Sequence, residues 1–169
     1  MKIIIEGPDN SGKSTLAKKL SDLLRLPLYV GKGPVKSPLD FYARWMEFVS
    51  QEDGVYDRHF CISELIYQQF FDRGGKMHDD ALVQSFYRDH NPIIIYARPL
   101  NASLDGHTAT SPADTPEYLA ALSHQHSHIC AAYDLWAATC SPILYTIGMP
   151  LGELLIQLEH RLDNQRSAA

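Results

Sequence analysis

Nine residues near the start of the chain, Gly7-Pro8-Asp9-Asn10-Ser11-Gly12-Lys13-Ser14-Thr15, match the phosphate-binding pattern G-x-x-x-x-G-K-[ST] without a mismatch. The spacing has a chemical reason. Gly7 and Gly12 let the backbone turn tightly, so that the amide N–H groups of Asn10, Ser11, Gly12, Lys13, Ser14 and Thr15 can point at phosphate oxygens. The positive end of a following helix adds to that field. Lys13 is placed to reach terminal phosphates, and the Ser14 hydroxyl to ligate Mg²⁺. A ligand-free glycine turn would need none of this order.

The second cluster is Asp57-Arg58-His59, at the end of the short apolar approach Val55-Tyr56. If that approach is a parallel strand beside the first, Asp57 and Arg58 emerge at its carboxyl end, where ligands of open α/β sheets bind. Asp57 could hold the Mg²⁺ shell or take a proton from an acceptor. Arg58 could grip an acceptor phosphate by two parallel hydrogen bonds. Taken alone, the pair also reads as a surface ion pair at a strand end.

The elements that must position these residues alternate. Strands are expected at Lys2–Glu6, Pro27–Val30, Gly54–Tyr56, Pro92–Tyr96 and Ile143–Ile147. Helices are expected at Lys13–Leu24, Leu39–Ser50, Ile62–Asp72 (ended by Gly74-Gly75), Asp79–Asp89, Glu117–Thr139 and Leu151–Leu162. This alternation predicts an α/β fold, a doubly wound parallel five-strand sheet with helices on both faces. A single domain over 1–162 is expected. The Pro/Ser/Thr/Gly-rich stretch 99–116 reads as a lid, and 163–169 as a flexible tail without an apolar anchor.

With those elements in place, the stretch from Glu6 to Thr15 resembles the thymidylate kinase version of the loop, in which an acid stands at the position of Asp9. Asp57-Arg58-His59 resembles that family's Asp-Arg motif. The run from Asp57 to Tyr67 is similar to the small kinases of this type found in bacteriophages. The resemblance is specific over about residues 2–20 and 54–70; elsewhere it is only an order of elements. It implies ATP- and Mg²⁺-dependent phosphoryl transfer to a deoxynucleoside monophosphate. Lys13 and Ser14 would serve ATP and the metal, Asp9 the acceptor's sugar, and Arg58 its phosphate. It also implies a homodimer.

Two departures stand out. No Lys or Arg occurs between Arg98 and Arg161, so the 99–116 stretch offers only His107 where such kinases close with an arginine. Charge on a transferring phosphoryl group needs a cation nearby. The remaining candidates are Lys13, Arg58, Arg88 and Arg98, and Arg98 is the best placed by its strand. The second departure is that only 26 residues separate Val30 from Asp57, room for about one helix around an acceptor base. Tyr42, Arg44 and Trp45 are candidates for the pocket wall by stacking, although Phe41, Trp45 and Phe48 at helical spacing also read as a core stripe.

Composition narrows the function classes. The chain has 169 residues, 45% of them hydrophobic, and a formal net charge of −5. An acidic balance argues against duplex DNA as the main partner. Three cysteines without C-x-x-C spacing read as reduced thiols of a cytoplasmic protein, or of the host cytoplasm if the chain is viral. The first residues enter a core strand at once and lack a signal-peptide layout, and no apolar run approaches a membrane span. His124, His126, His128 and Cys130 put two pairs at i, i+4 but complete no four-ligand site, so a solvated helix face is expected. Three readings follow: a kinase of a nucleoside or nucleotide, a kinase of a modified base or strand end in DNA, and a nucleotide-binding module without turnover. The intact Lys13-Ser14 favours the first over the last.

Overall fold

The computed structural model describes residues 1–72, 75–76, 78–100 and 115–167. Eleven elements occur among them: β1 (Lys2–Glu6), α1 (Lys13–Leu24), β2 (Leu28–Val30), α2 (Pro38–Ser50), β3 (Gly54–Asp57), α3 (Phe60–Tyr67), α4 (Asp80–His90), β4 (Ile93–Arg98), α5 (Pro116–Cys140), β5 (Ile143–Thr146) and α6 (Leu151–Ser167). The five strands form one parallel sheet in the order β2-β3-β1-β4-β5.

The apolar runs explain the layering. Ile3-Ile4-Ile5 and Ile93-Ile94-Ile95 are β-branched and buried on both sides, as central parallel strands require. Alternation sends Ile3, Ile5, Val55, Ile93, Ile95 and Ala97 to one face, against Leu16 and Leu20 of α1 and Leu154 and Leu158 of α6. Ile4, Tyr56, Ile94 and Tyr96 face the other way, against α2 to α5. By the same alternation Glu6 points to the α5 face and Asp57 to the α1 face, so β1 and β3 deliver acids to both sides of the sheet's carboxyl edge.

Helix starts follow their caps. Ser37, His59, Asp79 and Thr115 each accept a hydrogen bond from a first-turn amide of α2, α3, α4 and α5. The expected Asp79 cap is therefore present, with Asp80 in the first turn. The α1 N-cap is Gly12, in left-handed backbone and with no side-chain cap.

Several boundaries differ from expectation. β4 runs on to Arg98, and β3 includes Asp57. α3 stops at Tyr67, where the following Gln68, Gln69 and Phe70 make turn bonds instead. α6 continues through Ser167, so residues 163–167 are helical rather than a loose tail; Arg166 and Asp163 pair along it. Gly74, His107 and residues 101–114, most of the stretch 99–116 expected as a lid, lie outside the described residues. Among the described residues no helix is long and apolar enough to cross a membrane.

Candidate active site

The Gly7–Thr15 loop joins β1 to α1 with its backbone in the conformations the glycines permit. Gly7 has φ 154° and Gly12 φ 77°. A Cβ on Gly7 would stand 2.2 Å from the Ala97 carbonyl oxygen of β4, which forbids any side chain there. Because Gly12 offers no cap, the first amides of α1 remain available to a ligand, unlike the capped starts of α2 to α5. The Ser11 hydroxyl inside the loop is buried without a partner among the described residues.

Lys13 lies across this loop. Its Nζ donates to the Pro8 carbonyl at 3.1 Å and stands 3.8 Å from Asp9 Oδ1. Burial, and then the nearby Arg58 guanidinium, lower its pKa to about 8 against the opposing pull of Asp9, Asp57 and Glu6.

Arg58 takes left-handed backbone at φ 70°, and its guanidinium meets the phosphate loop at Asp9. Its Nη2 donates to Asp9 Oδ1 at 2.7 Å and to the Tyr67 hydroxyl at 3.1 Å, and Nη1 donates to the Tyr133 hydroxyl at 3.4 Å. The Tyr67 hydroxyl in turn donates to Asp9 Oδ2 at 2.8 Å. Burial works against the Arg58 charge, but the surrounding Tyr67, Asp9, Tyr133 and Glu6 outweigh it and hold the guanidinium protonated.

Glu6 anchors this cluster from below. It is fully buried and accepts from the Gly7 and His59 amides, the Ser63 hydroxyl and the Tyr133 hydroxyl. A buried carboxylate with four donors is a fixed point, so the loop, Arg58 and α5 are tied to one group. The backbone-facing role of Glu6, and the hydroxyls of Tyr67 and Tyr133, were not singled out in the sequence. Glu6 directly precedes the glycine loop, and Tyr67 lies two turns past Asp57-Arg58; neither position carries a pattern that marks it.

A cavity of about 680 Å³ opens from the α1 N-terminus to the Gly31–Pro34 loop and holds Asp9, Asn10, Gly12, Lys13, Ser14, Thr15, Asp57 and Arg58 together. Phe48, Phe60 and Tyr67 supply apolar wall, and Glu64 sits beneath the loop after β2. Glu64 is buried and accepts from the Val35 amide at 3.0 Å. Asp57 is also buried, and its Oδ1 has no partner among the described residues. Asp57 and Ser14 thus provide hard oxygen donors on one side of the cavity, a set that suits Mg²⁺.

The remaining candidates are placed otherwise. Tyr42 is exposed, bonds Asp79 through its hydroxyl and does not line the cavity. Trp45 packs edge-on against His90 in the core, so the aromatic stripe of α2 is core rather than pocket wall. Arg44 reaches the cavity, but its guanidinium clamps the Gly33 and Pro34 carbonyls at 2.7 and 2.9 Å and pairs with Asp40. Arg98 follows Tyr96 by two residues on the same strand face, and both side chains bond Asp134 of α5. Arg98 is therefore a half-exposed strand-end arginine outside the cavity, not a cation over it. Arg88 pairs with its neighbour Asp89 on the surface.

The histidine face divides. His124 and His128 are exposed as expected, but His126 is buried, with Nε2 3.1 Å from the Asp9 carbonyl oxygen and Nδ1 3.7 Å from Cys130 Sγ. Among the described residues no group of three His, Cys, Asp or Glu side chains is placed to hold a metal.

No protein-family model matches the sequence, and no curated protein matches it. Solved structures do. The YorR protein of Bacillus subtilis, in complex with phosphorylated GDP, is similar with a TM-score of 0.69 at 21% identity over 95% of this chain and 98% of that one. Deoxyadenosine kinase from M. mycoides with bound dATP is similar with a TM-score of 0.56 at 14% identity, over 96% and 100%. The same enzyme with dCMP and a flexible dCDP gives 0.54 at 15%, over 97% and 99%. At these identities the likeness establishes the fold, and the chain is an α/β protein with a five-stranded parallel sheet, the fold it shares with YorR and the deoxyadenosine kinase.

Proposed function

We propose that the protein transfers the terminal phosphoryl group of ATP to a deoxynucleoside monophosphate, with a thymidylate-like or modified pyrimidine nucleotide as acceptor. The observation that carries this reading is that Asp9 and Arg58 pair inside the same cavity as Lys13 and Ser14. A phosphate loop alone serves many NTPases. An acid and an arginine facing it across one cavity suit a second substrate with a hydroxyl and a phosphate. The nucleotide ligands of YorR and of the deoxyadenosine kinase support a nucleotide acceptor.

Each residue then has a task. The loop amides and Lys13 hold the β- and γ-phosphates, and Lys13 follows the charge of the moving group. Ser14 and Asp57 would hold Mg²⁺, which would supply charge neutralisation for the transfer. Arg58, already desolvated and charged, binds the acceptor phosphate. Asp9 accepts a hydrogen bond from the acceptor's sugar hydroxyl. Phe48, Phe60 and Tyr67 give the base an apolar wall. With Arg98 turned away, Lys13 and Arg58 are the described cations that stand beside the phosphate loop, while Lys32 and Arg44 at the far side of the cavity pair with Glu47 and Asp40.

Incubation with ATP, Mg²⁺ and each deoxynucleoside monophosphate, with products separated by ion-exchange chromatography, tests the reading. A deoxynucleoside diphosphate from a pyrimidine acceptor is expected. Phosphorylation of nucleosides alone would move the acceptor to the unphosphorylated class, and no acceptor-dependent product would overturn the proposal.

A further inference from the structure

His126 of α5 is nearly inaccessible, at 1% exposure, and its ring spans from the helix to the phosphate loop. A carbonyl oxygen only accepts, so the 3.1 Å contact with the Asp9 carbonyl puts the ring proton on Nε2. In the neutral ring Nδ1 is then an acceptor, and Cys130 Sγ, one turn along the same face, stands 3.7 Å from it as a thiol donor. Tyr133, seven residues after His126 and thus on the same face, accepts from Arg58 and donates to Glu6. One helix face therefore holds both halves of the Asp9–Arg58 pair: Asp9 by its backbone and Arg58 by its side chain.

This matters because Asp9 sits in a loop whose neighbour Asn10 has left-handed backbone at φ 60°. A hydrogen bond to the Asp9 carbonyl restrains the backbone at Asp9, and with it the origin of the carboxylate that meets Arg58 and Tyr67. The amides of Gly12 to Thr15 lie past Asn10 at the start of α1, beyond the reach of this contact.

We propose that His126 is a positioning residue that fixes the Asp9 peptide, and through it the Asp9–Arg58 pair, for the acceptor. Cys130 sets the ring tautomer. Of the loop amides only that of Asn10 shares the held peptide, and those of Gly12 to Thr15 do not depend on it. The acceptor side rests on the phosphoryl-transfer reading above; the state of the Asp9–Arg58 pair does not.

Two measurements test this. In steady-state kinetics, His126→Leu should raise the acceptor KM about three- to tenfold, the worth of one lost buried hydrogen bond, and leave the ATP KM within about twofold. His126→Gln, which keeps a donor at the same reach, should recover most of the loss. An unchanged acceptor KM, an equal rise in both KM values, or no rescue by Gln would overturn the proposal. Independently of any acceptor, a double-mutant cycle of Asp9→Ala and Arg58→Ala in urea unfolding reads the coupling of the pair. That coupling should fall by half or more in a His126→Leu background, and an unchanged coupling would overturn the proposal even if no acceptor is ever turned over. If His126→Leu fails to fold, Cys130→Ala carries the test without opening a ring-sized hole. It should weaken the Asp9–Arg58 coupling while folding normally, and a coupling equal to wild type would count against the proposal.

Discussion

Asp9 Oδ1 and Arg58 Nη2 are 2.7 Å apart, although the two residues stand 49 positions apart in the chain. The two groups assigned to an acceptor's sugar and phosphate hold each other before any acceptor arrives. The pair is partly buried, at 23% and 22% exposure, and each partner has a further hydroxyl ligand in Tyr67. Such an arrangement is preorganised, because most of the desolvation of both charges is complete before the acceptor enters.

Asp9 is expected to read the sugar. A site that hydrogen-bonds a hydroxyl rejects the analogue lacking it, because its own polar group is left unpaired. Wild-type protein should prefer a 2′-deoxy over a 2′,3′-dideoxy acceptor by more than roughly tenfold. Asp9→Ala should lose most of that preference. Equal treatment of both acceptors by both proteins would remove Asp9 from sugar recognition.

Lys13 should impose an alkaline limb on nucleotide capture. Its pKa in the free protein is lowered to about 8 by burial first and Arg58 second. Above that pH the free protein loses the ammonium, so kcat/KM for ATP should fall with an apparent pKa near 8. Bound phosphates favour the charged form, so the limb in kcat should lie higher. The linkage to stability has the opposite sign to a stabilised lysine. Between about 8 and 10.5 the unfolded chain binds the proton and the folded one does not, so the cost of the buried ammonium is present below that window and relieved as pH rises through it. Unfolding measured in Lys13→Met should lack this rise.

Lys13→Ala should abolish turnover while leaving part of the ATP affinity to the loop amides. Equilibrium binding of ATP beside a single-turnover assay separates the two. Near-normal kcat in the variant would mean that the loop binds without catalysing.

The α2 side chains should divide sharply. Tyr42→Phe, outside the cavity, should leave the acceptor KM within about twofold. Arg44→Ala releases the Gly33 and Pro34 carbonyls and should raise the acceptor KM through the loop it clamps, with a lower Tm. Equal effects of the two changes would put the acceptor wall elsewhere.

Much of this was legible in the residues. Ile3-Ile4-Ile5 before a glycine loop specified β1, the loop and α1, and the β-branched run at 93–95 specified the other central strand. Asp57-Arg58 stood at a strand end because Val55 and Tyr56 are apolar just before them. What failed depended on where side chains turn. Arg98 was assigned to the cavity by its strand edge, but strand alternation puts it with Tyr96 on the α5 face, where Asp134 holds both. Trp45 fits both a stacking wall and, more readily, a core stripe, and helical phase, which composition does not give, decides for the core. The i, i+4 spacing pairs His126 with Cys130 and His124 with His128, and a solvated face is expected for both pairs; helical phase, which the spacing does not give, turns the His126/Cys130 pair to the buried face.

The central claim is that Arg58 grips the acceptor, not ATP, and the ratio of KM changes in Arg58→Ala tests it most directly. Losing a charged hydrogen bond costs about 1.5–3 kcal/mol, so the acceptor KM should rise roughly ten- to a hundredfold. The ATP KM should stay within about threefold. Equal rises in both would assign Arg58 to the ATP phosphates or to the structure, and no rise in either would reduce the Asp9–Arg58 contact to an ion pair without a substrate.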